Sequence, residues 1–368
     1  MRIGIDMRMA GTGEGIGRYC EELVKNLAEI DKVNEYYLIF NDHTTSLKFK
    51  FKNEKFKNII VKSKYYSWME QTFFIYELSK LNLDLMHFTN FNIPVFYQRP
   101  FVVTIHDLIH HRFPGRKKSR YLHRVAYRTV IWTAIKRAET IITVSEATKN
   151  EVVNIFSIDP KKVKVIYEGA KALLAVTANS EQILKRYDIT KPFLLFVGVW
   201  RQYKNLPRLA AAFDILKRRH NVDAHLVLVG KIDPFYPEIR EAVFKIQNHH
   251  GIRALGFVPD DDLSALYSKA KIFVLPSLTE GFGLIGLEAQ AAGLPVVASD
   301  ITVLKEVLAD GAVYFDPRSA DDMAAKIFEI WNDPAAAQSL ASTGAANASR
   351  FDWQKCARET LALYRQAI

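Results

Sequence analysis

Two carboxylates, two cations and a set of glycines in this 368-residue chain could together handle a ligand that carries both phosphate and hydroxyl groups. Glu280 and Glu288 are separated by seven residues in the stretch Pro276-Ser277-Leu278-Thr279-Glu280-Gly281-Phe282-Gly283-Leu284-Ile285-Gly286-Leu287-Glu288. On one continuous helix that offset is about 80° of rotation and about 12 Å of rise, so the two are not a side-by-side acid/base dyad and must reach different parts of one ligand. The natural geometry puts Glu280 in a loop after an apolar strand, with Gly281 and Gly283 permitting close backbone approach and the next helix aiming its N-terminus at an anion. Glu288 then lies about two turns along. A nucleotide sugar fits this spacing, with hexose hydroxyls at Glu280, a diphosphate over the helix start and ribose hydroxyls at Glu288.

Upstream, Arg201 and Lys204 follow a strand that ends at Gly198. An Arg fork and a Lys point charge there can neutralise a diphosphate, although the pair in isolation reads better as surface charge. The first strand runs into Gly11, Gly13, Gly15 and Gly17, alternate glycines ahead of a helix whose N-terminus can meet phosphate. They do not form the G-x-G-x-x-G fingerprint, so a merely flexible turn stays open as the alternative, and a dehydrogenase lacks its expected motif. The D-x-D within Asp260-Asp261-Asp262 follows Pro259 and precedes an apolar helical pattern, which reads as a helix N-cap and acidic first turn rather than a metal site. Cys20 and Cys356 stand far apart without ligand spacing, so no disulfide framework or zinc site is expected and both should pack as small hydrophobes.

These groups need strand ends to hold them. Apolar runs at Arg2 to Asp6, Tyr36 to Phe40, Leu85 to Phe88, Phe101 to Ile105, Thr140 to Val144 and Lys164 to Tyr167 alternate with helical patterns. After Glu168-Gly169-Ala170 the pattern restarts with Phe193 to Val199, His225 to Gly230, Ile252 to Leu255, Ile272 to Leu275, Val296 to Ala298 and Val313 to Phe315. Such alternation predicts an α/β protein of two doubly wound, Rossmann-like domains with parallel sheets. Ligands of such sheets sit beyond the carboxyl ends of the strands, so two facing domains are expected to make a site across a cleft.

Composition agrees with a folded two-domain chain: 49% of residues are hydrophobic and 24% charged. No run reaches the ~18 consecutive apolar residues of a membrane span, and no signal-peptide pattern opens the chain, so a cytoplasmic protein is expected. The net charge of +10 lies wholly in the first 172 residues, with 28 Lys and Arg against 18 Asp and Glu, while 29 of the alanines lie after them and 8 within. Two domains, or a join of halves from two parents, both give such a shift.

The surplus is concentrated in residues 48–64, with seven lysines and one Glu, and in residues 111–137, with nine Lys and Arg and no acid. Both interleave aromatics with cations, as suits an anionic membrane surface or a lipid phosphate acceptor. For residues 48–64 the competing reading is an edge strand blunted by lysines, and for 111–137 a helix with an exposed basic face. The candidates for the acceptor or membrane face are Arg112, Arg116, Lys117, Lys118, Arg120 and Arg124. Nucleic acid is not expected, because no recognised binding motif accompanies the charge.

The stretch PSLTEGFGLIGLEAQAAGLPVVASD at 276–300 resembles the E-x7-E signature of family 4 retaining glycosyltransferases with the GT-B fold, on their mannosyltransferase-like branch. Supporting matches are GIGRY at 15–19, HFTNFNIP at 87–94, IHDL at 105–108, TVSEATK at 143–149, FVG with KNL within 196–206, and GFVPDDDLSALY at 256–267. Departures fall at Ile285 and Gly286, where relatives more often have Pro and Val, and at Gln290, where Met is usual. The resemblance implies an acceptor domain at 1–170, a nucleotide-sugar donor domain at 171–350 and a last helix, 351–368, that returns to the first domain with aromatics at the crossing.

It further implies sugar transfer with retention, without metal, from GDP-mannose or a UDP-sugar to a glycan or lipid-linked acceptor at the inner membrane face. His106, Arg201, Lys204 and Glu280 would carry the chemistry, with His106 facing the donor sugar. Gly15, Gly17, Gly281, Phe282, Gly283, Leu284 and Glu288 would bind the donor. A two-Rossmann sugar-nucleotide epimerase and a non-catalytic sugar-nucleotide binder are the competing classes.

Overall fold

The computed structural model describes residues 1–13, 15–113, 121–170, 179–246 and 249–367. The chain forms two compact units, Met1–Gly169 together with Asp352–Ile368, and Ala170–Phe351.

In the first unit the strands are β1 (Arg2–Asp6), β2 (Glu35–Phe40), β3 (Phe56–Ile60), β4 (Leu85–Phe88), β5 (Phe101–Ile105), β6 (Thr140–Thr143) and β7 (Val163–Val165). They pair in parallel in the order β3-β2-β1-β4-β5-β6-β7. Helices cover both faces, so central strands read as continuous apolar runs rather than alternations; every residue of β4 and β5 is buried. The outer strand β3 behaves differently. Phe56 is buried while Lys57 and Asn58 are exposed, so the lysine-rich 48–64 stretch includes a blunted edge strand, as the second of its two readings had it.

The helix Gly15–Ile30 buries Tyr19, Cys20, Leu23, Val24 and Leu27, a stripe at helical spacing. Against it packs the last helix, Trp353–Gln366, whose start is capped by Asp352 accepting from Gln354 N and Lys355 N. Cys20, Cys356, Trp353 and Tyr364 share one apolar cluster, and burial pushes the Cys20 thiol up to about 12, so it packs as a neutral group. A Cβ on Gly169 would lie 2.4 Å from Trp353 N, which is why the crossing of the chain at this point has no side chain.

The second unit contains β8 (Phe193–Val197), β9 (His225–Val229), β10 (Ile252–Gly256), β11 (Ile272–Leu275), β12 (Val296–Ser299) and β13 (Ala312–Phe315). Their order is β10-β9-β8-β11-β12-β13, again parallel throughout. Twelve of these thirteen strands are the runs that the sequence pattern marks out.

Candidate active site

The second sheet reverses its strand order between β8 and β11, where an open parallel sheet leaves a crevice beyond its carboxyl ends. Two loops meet there. The loop after β8 carries Arg201 and Lys204, and the loop after β11 carries Ser277 and Glu280. Leu278 N donates to Tyr203 O at 2.8 Å, and Asn205 Nδ2 donates to Pro276 O at 3.0 Å and Pro317 O at 2.8 Å. Asn205 sits at φ 58, the left-handed conformation that Asn tolerates, and this turns the chain from the loop into the helix Leu206–His220.

That bracing brings Lys204 Nζ within 2.6 Å of Glu280 Oε1, and Ser277 Oγ donates to the same oxygen at 2.6 Å. The side chains of Lys204 and Glu280 are only 11% and 10% exposed, so each charge depends on the other for compensation. Arg201 is placed otherwise: it is half-buried at the rim, with Nε 3.6 Å from Asp233 Oδ2. The two cations are therefore not equivalent. Lys204 is nearly buried in a close ion pair, whereas Arg201 keeps more of its solvent contact.

Beyond Glu280 the buried residues Gly281, Phe282 and Gly283 lead into the helix Leu284–Ala291. Phe282 stands edge-on to Phe351 at 5.7 Å. Gly283 is the N-cap at φ 89, and a Cβ there would come within 2.6 Å of Leu304 Cδ2, so the turn excludes other residues. No side chain caps this N-terminus. Leu284 is half-buried in the first turn and Glu288 is buried in the second.

The departures at Gly286 and Gln290 have a packing explanation. A Cβ on Gly286 would stand 3.0 Å from Leu308 Cδ2 and 3.1 Å from Leu275 Cδ2. Gln290, one turn on, donates from Nε2 to Leu308 O at 3.0 Å and accepts from Asn347 Nδ2 at 2.9 Å. Both residues thus close the helix against the body of its own unit.

In the first unit the order reverses between β1 and β4. Gly15 opens its helix with nothing within 4 Å of an added Cβ, whereas one on Gly17 would meet Met9 O and Thr12 Oγ1, each at 2.8 Å. Gly15 stands open, as does Gly13, while at Gly17 the loop closing onto its own helix already demands glycine. His106 follows β5. Its Nε2 lies 2.9 Å from Thr89 O and its Nδ1 3.1 Å from Glu168 Oε1, while Tyr19 presents its ring edge at 4.7 Å. A carbonyl only accepts, so the Thr89 contact calls for the hydrogen on Nε2 and leaves Nδ1 facing Glu168.

Sequence reasoning missed three members of these strand ends. Glu168 was read only as a boundary marker and Ser277 only as part of a loop. The third is a buried cluster in which Arg8 grips Asp6 through Nε at 2.9 Å and Nη2 at 2.7 Å and reaches Glu70 Oε1 at 2.7 Å. Burial pushes the Glu70 carboxyl up, against the opposing pull of Arg8. An aspartate two residues before an arginine was the available signal for the first pair; Glu70, 62 residues from Arg8, gave none.

Of the basic-face candidates, Arg112 pairs with Glu151 Oε1 at 2.6 Å and Arg124 is exposed on the helix Tyr121–Arg137. Arg116, Lys117, Lys118 and Arg120 lie outside the described residues. The aspartate triplet forms the acidic first turn of Asp260–Lys269, but the N-cap is Pro259 rather than an aspartate. Asp262 accepts from Tyr187 Oη at 2.7 Å and Arg186 Nη1 at 3.0 Å, which ties down the helix Ser180–Arg186. Among the described residues no three His, Cys, Asp or Glu side chains gather as a metal cage.

Residues 13–172 match the family described as Glycosyltransferase Family 4, and residues 178–347 match Glycosyl transferases group 1. The chain is 27% identical to O-antigen chain mannosyltransferase B of Escherichia coli, over 95% of this chain and 96% of that one. It is 31% identical to alpha-maltose-1-phosphate synthase of Mycobacterium tuberculosis, with 74% of each chain covered. Among solved structures, HepE of Anabaena in complex with UDP-glucose superposes with a TM-score of 0.79 at 17% identity, covering 100% of both chains.

Proposed function

The chain belongs to the family 4 glycosyltransferases with the GT-B fold, and from that membership we propose that it retains configuration while moving mannose from GDP-mannose to a glycan or lipid-linked acceptor in surface polysaccharide assembly. The observation that carries this reading is the junction of Lys204, Glu280 and Ser277 at the β8/β11 reversal. Membership sets aside the epimerase and dehydrogenase alternatives. The first unit is assigned the acceptor and the second the donor.

Lys204, Arg201 and the uncapped N-terminus of Leu284–Ala291 take the diphosphate, with Gly15 and Gly17 of the first unit also assigned to it. Glu280 takes the sugar hydroxyls and Glu288 the ribose, while Gly281, Phe282, Gly283 and Leu284 shape the loop and helix start. A diphosphate arriving at this strand end competes with Glu280 for Lys204, so donor binding exchanges one ion pair for another. Departure of the anionic leaving group is the difficult event, and fixed cations with a helix N-terminus stabilise it without requiring a metal. The bond from the anomeric carbon to the phosphate oxygen breaks, and the acceptor hydroxyl bonds from the same face. Its proton passes to the departing phosphate. His106 is assigned to the sugar, oriented by Glu168.

Kinship with the E. coli mannosyltransferase supports mannose; the UDP-glucose held by HepE supports a UDP-glucose or UDP-N-acetylglucosamine donor as the second reading. The acceptor reading places the protein in the cytoplasm at an anionic inner membrane face. Incubation with a panel of sugar nucleotides in EDTA, with nucleotide release as the readout, tests the proposal. GDP-mannose is expected to give the fastest release. No release from any sugar nucleotide would contradict it, and so would a sugar ester trapped on Glu280 or Asp107 in a single turnover, which would replace front-face transfer by double displacement.

A further inference from the structure

Four large exposed apolar side chains of the first unit stand close together on two short helices, Trp68–Gln71 and Phe73–Ser79, while Tyr121 and Trp132 are exposed on the basic helix Tyr121–Arg137. Trp68 is 90% exposed, Tyr76 54%, Phe73 48% and Met69 45%. This exposure is built in rather than the result of loose packing. Glu70 turns inward to Arg8 and Asn92, and Phe74 lies under the Arg8 guanidinium at 3.9 Å. Gln71 clamps the neighbouring loop, donating from Nε2 to Ile93 O at 3.1 Å and accepting from Val95 N at 2.9 Å. With Glu70, Gln71, Phe74 and Leu78 committed beneath, Trp68, Met69, Phe73 and Tyr76 are left facing water. Phe96, 69% exposed, stands on the loop that Gln71 holds.

The charges of the same segment are sorted by sign. Glu70 is buried, and Glu77 accepts from Lys62 N at 2.8 Å and Ser63 Oγ at 2.7 Å. The exposed charges are Lys62, Lys64 and Lys80, and Lys80 Nζ lies 4.0 Å from the ring centroid of Tyr76. Rings outward, cations around them and acids withdrawn match a bilayer interface whose headgroups are anionic.

We propose that the Trp68–Tyr76 segment docks the first unit on an anionic lipid bilayer by seating its aromatic side chains at headgroup level. The inference rests on the reading of a membrane-linked acceptor, and it gives the anchoring contact to this segment instead of to Arg112 and Arg124. Binding then has an apolar part that salt does not screen and an electrostatic part that it does.

The test is co-sedimentation of the full chain with phosphatidylcholine vesicles, with and without about 30 mol% phosphatidylglycerol. The wild type is expected to bind the anionic vesicles, to retain part of that binding in high salt, and to show tryptophan quenching by brominated acyl chains. Trp68→Ala with Phe73→Ser should lower partitioning at least about tenfold, and Trp68→Ala alone should remove most of the quenching. Nucleotide release in vesicle-free buffer should be unchanged, which shows the variants folded. Unchanged partitioning in the double variant, with loss in Arg112→Ala/Arg124→Ala, would overturn the inference and leave the membrane reading standing. Failure of the wild type to bind anionic vesicles would overturn both. Self-association of the wild type that the double variant abolishes, with vesicle binding intact, would make the face a contact between copies and overturn the inference.

Discussion

The strand ends of the two sheets handle their polar groups in opposite ways. In the first unit they are bound to one another: His87 to Tyr364 and Thr104, His106 to Thr89 and Glu168, and Arg8 to Asp6 and Glu70. In the second, the Lys204–Glu280 pair joins two loops beside a half-buried Arg201, 3.6 Å from Asp233, and a helix start that no side chain caps. Groups that satisfy one another hold a shape, whereas groups an incoming anion can re-pair carry a reaction. The contrast assigns scaffold and orientation to the first unit's strand ends and donor chemistry to the second's.

The sharpest way to break this comparison is Lys204→Ala. It should lower nucleotide release by about 10²–10³, with Lys204→Arg recovering part of the loss, because a fixed cation acts on the charge that develops at the phosphate. Loss of the partner to a nearly buried carboxylate should also reduce stability, by up to about 3–5 kcal/mol for a fully buried pair. Retention of full activity by the alanine variant in a steady-state assay would assign Lys204 to the scaffold class.

A smaller effect separates the units by pH. Burial, helped by the charge of His106, holds His87 down at about 3, against the ordinary value of 6.5. Between those values the unfolded chain binds a proton that the folded chain does not, so stability falls as the pH drops through that window. The slope should reach about 1.4 kcal/mol per pH unit. Urea titrations across the window should show a shallower acid limb for His87→Gln, and an unaltered limb would remove His87 from this role.

Smallest is the difference between two neighbouring glycines. Gly17→Ala should cost about 1–3 kcal/mol, because its Cβ meets the backbone of the preceding loop, while Gly15→Ala should change stability by less than about 0.5 kcal/mol. Thermal melts compare the two directly. Equal costs would mean that the loop yields.

The same contrast explains how much could be read beforehand. The placement of Arg201, Lys204 and Glu280 in loops after strands, and of Glu288 in the following helix, was legible because apolar runs and glycines mark the strand ends. That Lys204 meets Glu280 was not, since 76 residues separate them and only the β8/β11 reversal joins their loops. Glu168, 62 residues from His106, was hidden for the same reason. The packing demand at Gly17 was hidden, because a glycine required by its own loop is indistinguishable in sequence from one left open for phosphate. Through residues 48–64 lysines are interleaved with apolar residues, and only the place of β3 at the sheet edge decides between a docking strip and a blunted strand.

The most direct test of the central claim is calorimetric titration of Glu280→Gln with a nucleoside diphosphate, set beside its turnover of the matching sugar nucleotide. Removal of the carboxylate's charge should leave diphosphate affinity equal or tighter, because Lys204 no longer has a competitor, while turnover falls at least about 100-fold. Weaker diphosphate binding with undiminished turnover would contradict the account.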